Sequence, residues 1–405
     1  MKIMKIFIKK NLKTFWFCMT LLIMSCSNNL SDDTIKVDDN EVLNIENFIS
    51  YEDILNKAGD IYKITSKKFP SDGIETRSNL LVDEFSSKNI KKISSFNDRK
   101  GVVAMYAVNF EKGGFIVLSA DKRAPEVLAF SEDQSFEKKV FEMSEEMPYG
   151  ITIWIENIQN SISAFRYDSF KYEDNKTNNN YNITTYSNEI NVPAANTPYL
   201  LTTTWGQANG YNDSLVYCNA PQKMLAGCAT VAIAQILKYH GYPNVYNWSA
   251  MYNNAATPET ARLYKEIVNI SNATPNGCSS TSTTFPHWGQ ATLAYFGFTN
   301  TDNYFNCNAI KTDISNNRPV LIYGNGHAWV CDGYCLVETE TTLNGRIMTM
   351  YSDYLHNNWG WYGSYDGWFI EGMTWNVGSY SYPVNTRYMI YNMSRIYTYP
   401  YTYYL

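Results

Sequence analysis

The segment from Gly227 to Pro243 leaves least freedom to whatever this chain folds into. Ala229, Ala232, Ile233, Ile236 and Leu237 recur at i, i+3, i+4, i+7 and i+8. That spacing predicts a helix with one core-facing stripe, ended by Gly241 and the Pro243 behind it. Such a helix must pack on a second layer. Cys228 falls in its first turn, where free N–H groups and the helix dipole stabilise an anion. A thiol there ionises more readily and can act as a nucleophile. A small buried cysteine would show the same local pattern, so the choice depends on what else the chain brings to it. His240 closes the helix, where a cation suits the dipole, and reads as structural.

A thiolate nucleophile needs a base. Pro319–Tyr323 reads as a strand, Gly324-Asn325-Gly326 as a tight turn and His327–Asp332 as the returning strand. A histidine heading a strand beside two glycines has room for a substrate backbone to approach, which makes His327 the leading candidate. His287 and His356 have no comparable context. Further on comes Asn357-Asn358-Trp359-Gly360-Trp361-Tyr362-Gly363. An Asn carbonyl can hold an imidazole in one tautomer, and an indole beside it can keep water off the bond. The same segment could equally be an aromatic turn. Ahead of the Cys helix, Thr204-Trp205-Gly206-Gln207 offers an amide that could donate to a developing oxyanion beside the Cys backbone N–H.

The charges are unevenly spread over the 405 residues, and this divides the chain. Residues 27–190 hold 19 Lys+Arg and 28 Asp+Glu, whereas residues 191–405 hold 9 and 11, with eight of the ten Trp and all four His. Two domains with different tasks follow, the chemistry lying in the second. The net charge is −6 and no basic stripe occurs in the mature chain, which argues against a nucleic-acid partner. In the first domain Val102–Phe110 and Phe115–Asp121 read as paired strands across a Gly113-Gly114 turn. Pro148 could open a helix whose apolar positions run through Ile151, Trp154, Ile155, Ile158, Ile162 and Phe165. The Asn- and Thr-rich stretch that follows reads as a flexible linker open to proteolytic cutting, near Arg166, Lys171 or Lys176.

At the start, Lys2, Lys5, Lys9, Lys10 and Lys13 precede an apolar run from Phe15 to Met24, built like a secretory signal. It ends Leu21-Leu22-Ile23-Met24-Ser25-Cys26, which resembles a bacterial lipobox with Cys26 as the acylated residue. The expected compartment is therefore extracytoplasmic, with a lipid anchor to the membrane, and it permits disulfides. Cys218, Cys228, Cys278, Cys307, Cys331 and Cys335 remain in the mature chain. Their spacing leaves pairing open and gives no zinc signature, so no metal and no organic cofactor is expected.

Four motifs in order, Thr204–Gln207, Gly227–Pro243, Gly326–Gly333 and Asn358–Trp361, resemble the streptopain family of papain-like cysteine peptidases. Gly114–Pro125 resembles that family's inhibitory prodomain. The resemblance implies an α+β fold in which a helical part carries the Cys and an antiparallel sheet carries the His and Asn, preceded by a small α+β prodomain. Taken with the leader and the Asn-rich stretch, this divides the chain into a lipoprotein signal peptide (1–25), prodomain (26–168), linker with the processing site (169–196) and peptidase domain (197–405). Cys228 would be the nucleophile, His327 the general base and acid, Asn358 the residue orienting it, Gln207 the oxyanion donor and Trp359 the shield. The substrates would be proteins or peptides, with the chain's own prodomain as inhibitor. Three features depart from the family pattern. The chain between His327 and Asn358 is long, with a polar turn at Glu338–Gly345; Tyr362 stands where Gly is frequent; and the tail from Ser379 is rich in Tyr. A non-catalytic surface lipoprotein that binds peptide or glycan, and a Cys-dependent amidase or acyltransferase, are the competing readings.

Overall fold

Val103–Phe110 is apolar with almost no alternation, the pattern of a strand covered on both faces, and it is buried from Ala104 to Phe110. The computed structural model describes residues 48–55, 90–122, 124–137, 147, 149–167, 183–189, 199–282, 288–324, 326–343, 346–371 and 387–396. The first 25 residues, Cys26, Pro148, His287, Lys171, Lys176 and the Tyr-rich end of the tail lie outside these. Among the described residues no helix is long and apolar enough to cross a membrane, and no cluster of metal-ligating side chains occurs.

In the N-terminal half, β1 (Ile90–Asn97), β2 (Val103–Phe110), β3 (Phe115–Ser119) and β4 (Val127–Ser131) form an antiparallel meander. Helix α1 (Tyr149–Tyr167) packs on it through Ile151, Trp154, Ile155, Ile158 and Ile162, the spacing expected of its buried stripe. Near its end Arg166 is fixed between two carboxylates. Its guanidinium donates to Asp98 at 3.0 Å, to Asp121 at 3.1 Å and to the Ala120 carbonyl at 3.1 Å. The Tyr167 hydroxyl completes the cluster on Asp98 at 2.9 Å. All three charged side chains are buried, so Arg166 is unavailable to a protease; the sequence offered it as a cutting site because an Arg beside a polar stretch looks exposed.

In the C-terminal half, α2 (Cys228–His240), α3 (Pro258–Ile270) and α4 (Trp288–Tyr295) form a helical layer. It faces a sheet of β10 (Phe298–Tyr304), β11 (Val320–Gly324), β12 (His327–Leu343), β13 (Arg346–Asn358), β14 (Gly367–Glu371) and β15 (Tyr388–Arg395), with α5 (Cys307–Ser315) against β12. This is the expected α+β arrangement, with Cys228 on the helices and His327 and Asn358 on the strands. A single disulfide among the described cysteines, Cys218–Cys278, ties a short hairpin (β6, Tyr217–Asn219, and β7, Gln222–Lys223) to another (β8, Thr274–Asn276, and β9, Ser280–Ser282). Closing a loop across a separation of 60 residues stabilises by about 4 kcal/mol in the chain-entropy account.

Three features differ from the sequence expectation. The two halves share one antiparallel sheet, in the order β1-β2-β3-β4-β14-β13-β12-β11-β15-β10. The junction is short, Trp368 opposite Phe130 and Phe369 opposite Ala129. The polar turn expected at Glu338–Gly345 is mostly strand: β12 continues to Leu343 and pairs with β13 in register to Arg346. The alternating Val, Glu and Thr there suit a two-sided ribbon as well as a loop. Within the 169–196 segment, β5 (Ile183–Glu189) pairs with β12 from Glu338 to Leu343.

A test of the N-terminal half follows from the Arg166 cluster. Arg166→Met would leave two buried carboxylates without their cation, costing about 3–5 kcal/mol. Denaturant unfolding of the precursor should show this as an early loss of the N-terminal half, and an unchanged midpoint would refute the cluster's role.

Candidate active site

Gly227 has φ 86°, a conformation natural to glycine, and this turns the chain into α2 so that Cys228 opens the helix. A side chain at Gly227 would also meet Thr281 of β9 at 3.2 Å, so the disulfide-tied hairpin presses directly on the residue before the thiol. The Ala328 N–H lies close enough to the Cys228 sulfur to favour its thiolate, which sets the start of β12 against the start of α2. Burial is nevertheless the larger influence, and it holds the Cys228 pKa above the ordinary thiol value. Gln207 is half-buried beside this point; its backbone carbonyl accepts from Ala226 N–H at 3.0 Å, two residues before Cys228.

His327 is buried, and its Nε2 makes a 3.2 Å hydrogen bond with the backbone carbonyl of Trp359. Its ring lies roughly parallel to Trp329 and Trp359, with centroids 5.8 and 6.4 Å away. The Trp359 indole is itself packed on Trp329 and Phe369. Burial pulls the imidazole pKa down to about 4, opposed only by the Trp359 carbonyl. Part of that burial comes from the N-terminal half. A Cβ on Gly150, in the first turn of α1, would lie 2.9 Å from His327 Cδ2 and 2.6 Å from Trp359 Cζ3. The helix backbone therefore rests on the imidazole and on the Trp359 indole.

Asn358 does not take the place expected of it. Its Oδ1 accepts from Gln235 Nε2 at 2.9 Å and from Gly360 N–H at 3.1 Å, and its Nδ2 donates to the Thr203 carbonyl at 2.7 Å. The cause is strand parity. Asn358 stands opposite Val330, so it shares the helix-facing side with Val330 and Ala328, whereas His327 and Trp329 face the other way. The next peptide along carries the carbonyl that reaches His327. Trp359 is held in turn by its N–H donating to Asp366 at 2.8 Å.

Other expectations are adjusted likewise. His240 is buried with its pKa lowered to about 4, by desolvation first and Arg395 second. It is neutral, and beside Lys238 of the last turn the end of α2 is met by the Arg395 guanidinium, which donates to the His240 carbonyl. His356 has a context after all, in a buried pair between its Nδ1 and Asp332 at 2.6 Å, with its ring stacked on Tyr199 at 4.1 Å. Burial disfavours its cation, but Asp332, helped by Asp366 and Asp133, holds its pKa above the ordinary value. Asp332 also accepts from Leu201 N–H at 2.9 Å, fixing the entry of the C-terminal half. Tyr362 lies against Gly206, whose added Cβ would fall 2.2 Å from the phenol ring, and its hydroxyl accepts from Ala208 N–H at 2.8 Å. Sequence gave no sign of Gly150, Asp366 or the His356–Asp332 pair, since each depends on a partner far along the chain.

A cysteine at a helix start, a histidine on the adjoining strand and an N-terminal helix resting on that histidine form an arrangement suited to a thiol peptidase precursor. Comparison with known proteins agrees. Residues 205–261 and 244–369 match the Peptidase C10 family, and residues 74–162 match the Spi protease inhibitor family. The chain belongs to the C10, or streptopain, family of cysteine peptidases and is a zymogen carrying its own inhibitory prodomain. Streptopain from Streptococcus pyogenes is 26% identical over 326 residues, covering 65% of this chain and 73% of that one. The thiol protease/hemagglutinin PrtT of Porphyromonas gingivalis is 23% identical over 326 residues, covering 66% of this chain and 34% of that one. The structure of a Prevotella intermedia prointerpain A fragment shares the fold, with a TM-score of 0.51 and 21% identity over 75% of this chain and 98% of that one.

In the precursor the displaced pKa values leave both partners neutral near pH 7, a thiol and an imidazole. Alkylation of Cys228 by iodoacetamide, followed by mass spectrometry in freshly purified precursor, should therefore rise only above the ordinary thiol range. Each unit of displacement slows it about tenfold at neutral pH. A rate plateau already reached near pH 6 would contradict this electrostatic picture.

Proposed function

We propose that this chain is the precursor of an extracytoplasmic, lipid-anchored cysteine endopeptidase, activated when the Asn-rich segment 169–196 is cut and the prodomain leaves. The observation that carries the reading is the packing of the helix opened by Cys228 on the strand opened by His327, with the α1 backbone resting against the His327 ring. The anchor at Cys26 is supported by the sequence Leu21–Cys26 alone.

With α1 gone, water reaches His327, and an imidazolium–thiolate pair replaces the neutral pair. The Cys228 thiolate attacks the peptide carbonyl, and the oxyanion that forms is held by the Gln207 amide and the Cys228 backbone N–H. His327 gives its proton to the leaving amine, whose C–N bond breaks, and the acyl group stays on sulfur. His327 then takes a proton from water, hydroxide adds to the thioester, and the carboxylic product departs as the thiolate reforms. The Trp359 carbonyl orients the imidazole and the Trp359 indole keeps water from that bond. Asn358 supports this carbonyl from behind.

Incubation of the purified precursor with and without an epoxide thiol inhibitor tests the reading. Time-dependent removal of the prodomain, abolished by the inhibitor and by Cys228→Ala, is expected. Peptide hydrolysis by processed Cys228→Ala should fall about 10⁴-fold or more. A non-catalytic binding protein would hydrolyse nothing in any form, and an amidase would spare casein while cutting wall-derived peptides.

The inhibitory contact has its own test. A larger residue at position 150 raises helix propensity by up to ~1 kcal/mol, yet its Cβ has no room against Trp359 and His327. The clash should win. Uncut Gly150→Val precursor should react with the epoxide several-fold faster than wild type, and equal rates would show that α1 does not hold the site shut.

A further inference from the structure

Gln235 is fully buried on α2, seven residues beyond Cys228, and no step above uses it. A buried amide must find partners for its donors and its acceptor. Oε1 accepts from Thr203 Oγ1 at 2.8 Å and from Trp205 N–H at 3.3 Å, while Nε2 donates to Asn358 Oδ1 at 2.9 Å. Asn358 Nδ2 returns to the Thr203 carbonyl at 2.7 Å and closes a ring of three residues, all of them buried. The N–H groups of Trp205 and Gly360 can only donate, which fixes the orientation of both amides.

Each member of the ring leads into a different part of the site. Thr203 begins the strap that runs to Gln207. Asn358 precedes Trp359, whose carbonyl takes His327 Nε2. Gln235 stands on the helix that Cys228 opens. We propose that Gln235 is a positioning residue for the hydrolytic reaction, holding the oxyanion strap and the His327-orienting carbonyl in place relative to the Cys228 helix. This rests on the reading in the preceding subsection. Without the Gln235 amide, the Asn358–Gly360 turn is free to shift and carries the Trp359 carbonyl with it. A misplacement of about 1 Å at a reacting group costs on the order of a hundredfold in rate.

Gln235→Glu separates positioning from mere stability. The ionised side chain keeps the acceptor but loses the donor to Asn358, while the protonated acid regains it. Burial raises the carboxyl pKa, which brings that switch into an assayable range. Processed Gln235→Glu enzyme should lose about a hundredfold in kcat at about pH 8 with KM little changed, and should recover much of it towards about pH 5. The acid limb of Cys228 alkylation should move to higher pH relative to wild type, because the imidazole is less well held. Should Gln235→Glu fail to fold, Thr203→Val removes the hydroxyl bond alone and should lower kcat several-fold at constant KM. Wild-type kcat and alkylation profile in either folded variant would overturn the proposal, as would a loss that is uniform with pH and vanishes on cooling. A wild-type enzyme without thiol-dependent hydrolysis would instead bring down the functional reading on which the proposal stands.

Discussion

The contact of the α1 backbone with the His327 ring is the constraint on which the rest of this structure depends. It requires glycine at position 150, because any Cβ there would enter the space of Trp359 and His327. To bring that helix start to the site, the N-terminal meander adds its last strand to the edge of β14, and Trp154 reaches across to pack edge-on against Phe369 at 5.0 Å. The Trp154 indole N–H also meets the Ile370 carbonyl at 3.4 Å. The sheet junction, the aromatic bridge and the inhibitory contact are therefore one arrangement.

That arrangement is also separable. The junction spans two residue pairs, and backbone hydrogen bonds of this kind contribute about 1 kcal/mol each net of solvent. The strongest polar cluster of the N-terminal half, around Arg166, lies wholly within it and joins α1 to its own sheet. The prodomain is thus braced internally and attached to the peptidase by apolar packing at Phe369, Trp368 and Trp359 and by a few hydrogen bonds, among them Tyr354 to the Val127 carbonyl and Tyr365 N–H to the Ser135 carbonyl. A covalent connection through 169–196 keeps it in place at high effective concentration, so cutting that connection weakens the hold without any change at the contact itself.

Much of this was legible in the sequence, for reasons of period. A stripe at 3.6-residue spacing placed α2 and α1, and the Gly113-Gly114 turn placed β2 against β3. The four motifs brought Cys228, His327, Gln207 and Trp359 to one region. What escaped was set by parity and distance. Asn358 ends β13 with its side chain on the helix-facing side, while the backbone carbonyl of the next residue, Trp359, reaches His327, and spacing alone cannot say which of the two does so. The polar run Glu338–Leu343 is strand because β13 and β5 cover its two edges, a fact of pairing that no local signal carries. Gln235 did leave a trace. It is an amide set among Ala232, Ile233, Ile236 and Leu237 in a helix buried nearly all round, and such a residue demands partners from elsewhere.

The latent state of the site follows from this geometry as an electrostatic consequence. Catalysis by thiol and imidazole needs them as an ion pair, and an ion pair needs either solvent or fixed dipoles to sustain it. Here the dipoles are already in place: the start of α2, at which Cys228 stands, and the Trp359 carbonyl at Nε2. They are outweighed because burial raises the cost of charge on each partner, and at His327 part of that burial is the α1 backbone. Removing α1 would take away that part of the burial at His327.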